Sequence, residues 1–229
     1  MFGSLGAFLI YFALILIIPI YAQMRVKSTF NKFSQKQSSS GMTGAQVAQK
    51  IMQDNGIYDV TVEPVKGKLT DHYDPSKKAV RLSEDNYYGT SIAGNAVAAH
   101  EVGHVIQDAQ DYSFMRLRSR LVPFASFGSN FSFIFIIAGM LLGMSQLLLA
   151  GIIFMAAAVV FQLVTLPVEF DASNRAMGQM VASGIIRNDE EKSSKKVLNA
   201  AALTYVAGAL VAVLELVRFI LMYVMANND

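Results

Sequence analysis

Between Leu121 and Val168 the chain runs for 48 residues without one charged side chain. A bilayer's hydrocarbon core is about 30 Å thick, and a helix needs roughly 20 apolar residues to cross it. A run of this length holds two crossings. Its natural break is "GMSQ", Gly143 to Gln146, which predicts a helical hairpin of about Phe124–Leu142 and Leu147–Leu166. Two more uncharged runs, Met1–Met24 and Val197–Leu214, supply one crossing each. With 53% apolar and only 16% charged residues, the chain reads as a mostly α-helical membrane protein with four transmembrane helices, not a soluble globule. The first run lacks a basic leader and an A-x-A cleavage site, and Arg25 and Lys27 follow it at once. It is expected to stay as an anchor rather than leave as a signal peptide.

Orientation follows from the basic residues. Of 19 lysines and arginines, 13 lie between Arg25 and Arg120 and five between Arg175 and Lys196. Basic loops stay inside, so both polar segments are expected in the cytoplasm, with the N-terminus and the tail "MANND" outside. The expected layout in the plasma (inner) membrane is an anchor at 1–24, a cytoplasmic region at 25–120 and a membrane hairpin at 121–168. A second cytoplasmic segment at 169–197 and a last span at 198–225 complete it. The lack of cysteine fits a reducing compartment. A net charge of +2 reflects the anchoring bias, and no nucleic-acid-binding module is present.

Within 25–120, "KSTFNKFSQKQSSSGMTG" reads as a linker. Thr43 and Gln46 have the spacing of a capping box for a helix from Gly44 to Asp54, ended by Gly56. Tyr58, Val60 and Val62 alternate as a strand, "VKGKLTDHYDPSKK" is rich in turns, and Ala79–Ser83 alternates again. A further helix is expected from near Ser91 past Asp108. These elements make a small α+β unit of roughly 95 residues, close to the size limit for independent stability and so expected to pack on the membrane helices.

That last helix carries "VAAHEVGHVIQD", residues 97 to 108. Residues four apart share a helix face, so His100 and His104 have the spacing to ligate one Zn²⁺, with Glu101 beside them as general base. The bland reading makes His100, His104, Gln107 and Asp111 a solvated stripe. Two details favour a site. Upstream the stripe continues as Ala93, Ala96 and Val97, so the histidines sit where an apolar face turns polar. Gly103 costs about 1 kcal/mol in a helix interior, which suggests that it serves close packing.

Catalytic zinc takes three protein ligands and leaves one position open. A histidine six residues after His104 would extend the motif, but position 110 is glutamine. Asp108 and Asp111 lie too far along the same helix, and His72 is the only other histidine. Glu169 emerges beyond Pro167, which is expected to end or kink the third span. Two crossings separate it from His104, so both return to one side and a His₂Glu site is permitted. Alternatively, Glu169 and Asp171 are interfacial charges that open a cytoplasmic helix.

"AAHEVGHVIQ", with "DHYDP" and "RLS" upstream and "LPVEFDASNRA" (Leu166 to Ala176) downstream, resembles the YugP-like neutral zinc metallopeptidases, bacterial membrane proteases, over nearly the whole chain. More distantly, "EFDASNRA" resembles the E-F-x-A-D-x-x-A helix of HtpX and CAAX-prenyl-protease-type gluzincins. The resemblance implies a zincin-like catalytic part, one Zn²⁺ per chain, Glu169 as its third ligand, and Ala79–Ser83 as an edge strand that pairs with extended substrate. This chain has Ser173 where the wider pattern has an aspartate that props a zinc histidine. Asp171, Ser173 or Asn174 is available for that hydrogen bond. For the transition-state oxyanion, Arg175, Tyr87, Tyr88 and His72 are available, although "DHYDP" also reads as a plain turn and Arg175 as an interfacial anchor.

The function expected is a membrane-anchored zinc endopeptidase that uses a metal-activated water and a glutamate base at the cytoplasmic membrane face. Its substrates would be membrane-associated proteins or peptides, as in quality control, and a membrane partner or a second copy is compatible with it. The alternative is a non-catalytic membrane scaffold or assembly factor with a structural zinc. Such a site should be closed by a fourth protein ligand, and no cysteine exists to supply one. A metal transporter would need ligands within its spans, yet the second and third hold no histidine or charge. Glu215 and Arg218, at i and i+3 in the last span, approach the outer interface if that span begins near Val197.

Overall fold

The computed structural model describes residues 5–227; the first four residues of the expected anchor and the last two of the tail lie outside them. The elements are helix α1 (Leu5–Ser34), helix α2 (Gly44–Asp54), strands β1 (Thr61–Val65), β2 (His72–Asp74) and β3 (Ala79–Ser83), helices α3 (Glu84–Tyr88) and α4 (Ile92–Ala109), and three long helices, α5 (Ser113–Leu142), α6 (Ser145–Ala182) and α7 (Asn188–Ala226). Helices α1, α5, α6 and α7 are each long and apolar enough to cross a membrane. The chain divides into two compact units. Residues up to Gln23, Arg116–Leu166 and those from Thr204 onward form one; Met24–Met115 and Pro167–Leu203 form the other.

The first unit is apolar outside as well as inside. Leu9, Ile10, Phe133, Leu141 and Ile153 are exposed, which water would penalise and lipid does not. Inside it, Ile136, Leu148 and Ile152 pack with Leu216, Phe219 and Tyr223. A β-carbon on Gly139 would lie 2.6 Å from the Leu148 nitrogen, and one on Gly151 2.8 Å from the Ile136 nitrogen. Small residues thus bring the α5 and α6 backbones together, the usual device of membrane helices. The expected hairpin break is present: α5 ends at Leu142, Gly143 has φ +64°, and α6 begins at Ser145. Glu215 and Arg218 pair with each other at 2.6 Å, and Arg218 lies over the ring of Phe219.

The second unit is built around α4, whose alanine- and valine-rich faces are buried almost throughout. Ala96, Ala99, Val102 and Val105 join Val47 and Ile51 of α2, Val80 and Leu82 of β3, Met180 of α6 and Leu198 of α7 in one core. Local chemistry fixes the ends of these elements. Thr43 and Gln46 form the reciprocal capping box before α2, and Gly56 turns the chain beyond it with φ +70°. Ser91 caps α4 through the Gly94 amide. Each cap is worth about 1 kcal/mol.

Several sequence expectations are corrected. Helix α1 runs on through Ser34, so the linker expected from Lys27 begins only after it. Pro167 does not end the third helix, which continues to Ala182. The first strand covers Thr61–Val65 rather than starting at Tyr58, because its parallel partner Ala79–Ser83 sets its length. It contains Pro64, which an edge strand tolerates. The main correction concerns Ala79–Ser83. It is the central strand of the order β1-β3-β2, with β1 parallel on one side and β2 antiparallel on the other. The turn that folds β2 onto β3 causes this. Asp74 accepts from the Ser76 and Lys77 amides and from the Ser76 hydroxyl, which leads in holding its carboxyl down to about 2.

Candidate metal centre

Helices α4 and α6 carry the histidines and the glutamate, and a glycine sets the distance between them. A β-carbon at Gly103 would stand 2.4 Å from the Ala172 carbonyl oxygen, a distance no side chain allows. This contact between α4 and α6 brings together side chains 69 residues apart in sequence. Nε2 of His100 lies 3.3 Å from Oε2 of Glu169, and Nε2 of His104 lies 3.6 Å from the same oxygen. All three donor atoms fall within 4.8 Å of one another, so His100, His104 and Glu169 could hold a metal ion. Metal–donor bonds of about 2.0–2.1 Å in a tetrahedron put neighbouring donors about 3.3 Å apart. Two of the three separations lie close to that value.

Hydrogen bonds on the far sides of the rings orient the donors. Nε2 of Gln107 donates at 2.8 Å to the Val168 carbonyl and at 2.8 Å to the Asp171 carboxylate. Neither oxygen can donate, so the amide has one orientation, and its Oε1 must face Nδ1 of His104 at 3.0 Å. That nitrogen therefore carries a proton, so a neutral His104 has its lone pair on Nε2, the atom that faces Glu169. The Ser173 hydroxyl stands 3.2 Å from Nδ1 of His100 and, as acceptor, holds that ring in the same sense. Hydrogen bonding of this kind fixes tautomer and raises ligand basicity in metal sites.

The electrostatics favour positive charge at the convergence point. Glu169 is 2% exposed. Burial works against protonation of His104, yet the hydrogen bond and charge of Glu169, with Glu101 adding to them, raise its imidazole above the ordinary histidine value. Glu101, on the same helix, is also buried. Burial raises its carboxyl above the usual range, against the pull of His100 and His104.

The other sequence candidates divide. Asp171 reaches His104 through Gln107, and Ser173 reaches His100 directly. Asn174 is exposed. Arg175 donates to Asp171 and to Gln110, and lies 5.7 Å from the Tyr112 ring centre, so it braces Asp171. His72 pairs with Arg81 across the sheet, with its Nδ1 2.8 Å from the Thr70 carbonyl, and is not in the metal cluster. Tyr88 is exposed and edges onto Tyr87. In sequence Gln107 reads as part of a wet stripe, although its place three residues after His104 on the same face is the available signal. Asp71 of "DHYDP" accepts from the Ser83 amide and hydroxyl and from Asn86, which ties the end of β3 to α3.

Known proteins resemble the chain over nearly its whole length. Residues 8–224 match the family model described as "Putative neutral zinc metallopeptidase". The chain is 50% identical over 212 residues to "Putative membrane protease YugP" of Bacillus subtilis (strain 168), an alignment covering 93% of this chain and 94% of that protein. No solved structure matches. Two imidazoles and a carboxylate within 4.8 Å of one another, four apolar helices and a match running almost from end to end lead to one assignment: the chain belongs to the neutral zinc metallopeptidase family.

Proposed function

We propose that this protein is a membrane-anchored zinc endopeptidase with its site at the cytoplasmic membrane face. The observation that carries the proposal is the convergence of His100 Nε2, His104 Nε2 and Glu169 Oε2, with Gln107 fixing the tautomer of His104. Three protein donors leave a tetrahedral position for a substrate water or carbonyl. When bound, Zn²⁺ supplies the Lewis acidity that makes water a nucleophile near neutral pH and polarises the scissile carbonyl.

The chain's own groups do the rest. Glu101 accepts the proton of the attacking water on a carboxylate oxygen and delivers it to the leaving amine. A carboxyl raised by burial suits both halves of that transfer. His100 and His104 keep their Nδ1 protons on Ser173 and Gln107 and present Nε2 throughout. The cytoplasmic location is supported by the 18 basic residues that precede Leu121 or lie in 175–196. Glu169 follows Leu166 by less than one helical turn, which favours substrates that are membrane proteins or segments released from them.

The test is cleavage of an unfolded protein by the detergent-purified full chain. Glu101→Gln is expected to keep its zinc and lose about 10²- to 10⁴-fold in rate, as removal of a general base does. A variant that cuts as fast as the parent contradicts the mechanism.

A further inference from the structure

Beside the core of the second unit, α1 and α7 enclose a cleft of about 440 Å³. On α1 its lining includes Arg25, Ser28, Thr29 and Lys32, at i, i+3, i+4 and i+7, which is one helix face; on α7 it includes Lys196 and Asn199. Three cations and no carboxylate line it. Among the described residues none of the three is in an ion pair, although Lys50, Lys78, Arg81 and Arg175 of the same unit are (with Asp54, with Asp59 and Asp108, with Glu63 and Asp74, and with Asp171). Like charges gathered without a counterion repel. A bound anion removes that cost.

The position of the cleft narrows the kind of anion. Arg25 is the first charge after the uncharged run Met1–Met24, and Lys196 is the last before Val197–Leu214. Both helices therefore change from apolar to polar at the cleft, the level at which a phospholipid carries its phosphate. The lining also continues along α7 to Ala200 and Leu203. Apolar residues there suit an acyl chain and offer nothing to a free anion. Lysine and arginine bind phosphate oxygens through charge-assisted hydrogen bonds, and the Thr29 hydroxyl and Asn199 amide add neutral partners. We propose that this cleft binds the phosphate group of an anionic phospholipid.

The experiment uses the full chain in detergent, with lipid binding read by native mass spectrometry. Phosphatidylglycerol and phosphatidylcholine of equal chain length are the probes, and inorganic phosphate is the competitor. The expected result is preferential retention of phosphatidylglycerol, unaffected by millimolar phosphate. The variant R25Q/K32Q/K196Q should bind it about 100-fold more weakly, from the contribution of each basic residue near an anionic surface. K66Q/K68Q/K77Q loses the same charge outside the cleft and should bind as the parent does. Should the triple variant fail to fold, the parent's lipid preference and the single change K32Q, with an expected loss of about fivefold, decide the matter. Equal retention of the two lipids, equal binding by the two triple variants, or an undiminished K32Q overturns the proposal. Displacement by inorganic phosphate also overturns it, in favour of a soluble anion.

Discussion

Where α4 meets α6, Gly103 lies against the Ala172 backbone, and Gln107 crosses to the Val168 carbonyl and the Asp171 carboxylate. Where α5 meets α6, Gly139 and Gly151 lie against Leu148 and Ile136, with apolar side chains around them. Both contacts depend on the absence of a β-carbon, but close approach does different work in each. Between apolar helices in lipid, tight backbone packing is itself the main attraction. Between α4 and α6 it sets the separation at which two imidazoles and a carboxylate share one point. Damage to the first contact should register as lost stability, and damage to the second as lost metal.

The largest effect is expected from Gly103→Ala. The added carbon forces α4 off Ala172, at a cost of about 2 kcal/mol for overpacking, and zinc affinity should fall about 100-fold. Gly151→Ala should lower thermal stability by a similar amount with zinc affinity unchanged. If isothermal titration shows Gly151→Ala losing zinc as Gly103→Ala does, the distinction between the contacts collapses. Next comes Gln107→Ala, which leaves Nδ1 of His104 unheld; zinc should bind between about 10- and 100-fold more weakly. Ser173→Ala removes a single hydroxyl from His100 and should fall at the low end, about tenfold. A Ser173→Ala effect exceeding that of Gln107→Ala would mean that His100, not His104, depends more on its support.

Sequence patterns revealed the parts governed by neighbouring residues. The cap at Thr43, the helix start near Ser91, the Gly143 break and the paired histidines are all local, with their chemistry inside one turn or one helix. The parts that went astray depend on distant partners. Ala79–Ser83 alternates as an edge or a central strand would, and only the return of His72–Asp74 through the Asp74 turn decides between them. Gln107 looks like a solvated polar residue until α6 supplies the Val168 carbonyl and Asp171. Two expected crossings, an even number that a sequence can count, permit Glu169 beside His104, and the family resemblance then supplies it as a ligand. The choice among Asp171, Ser173 and Asn174 was not, since it depends on the rotation of α6 about its axis.

Zinc per chain, measured by elemental analysis of the detergent-purified parent and of Glu169→Ala after identical dialysis, bears most directly on the centre. One equivalent in the parent and almost none in the variant is the expected result, because Glu169 Oε2 lies within 3.6 Å of both imidazole donors. An unchanged equivalent held with unchanged affinity would remove Glu169 from the site and leave the two histidines without their third ligand.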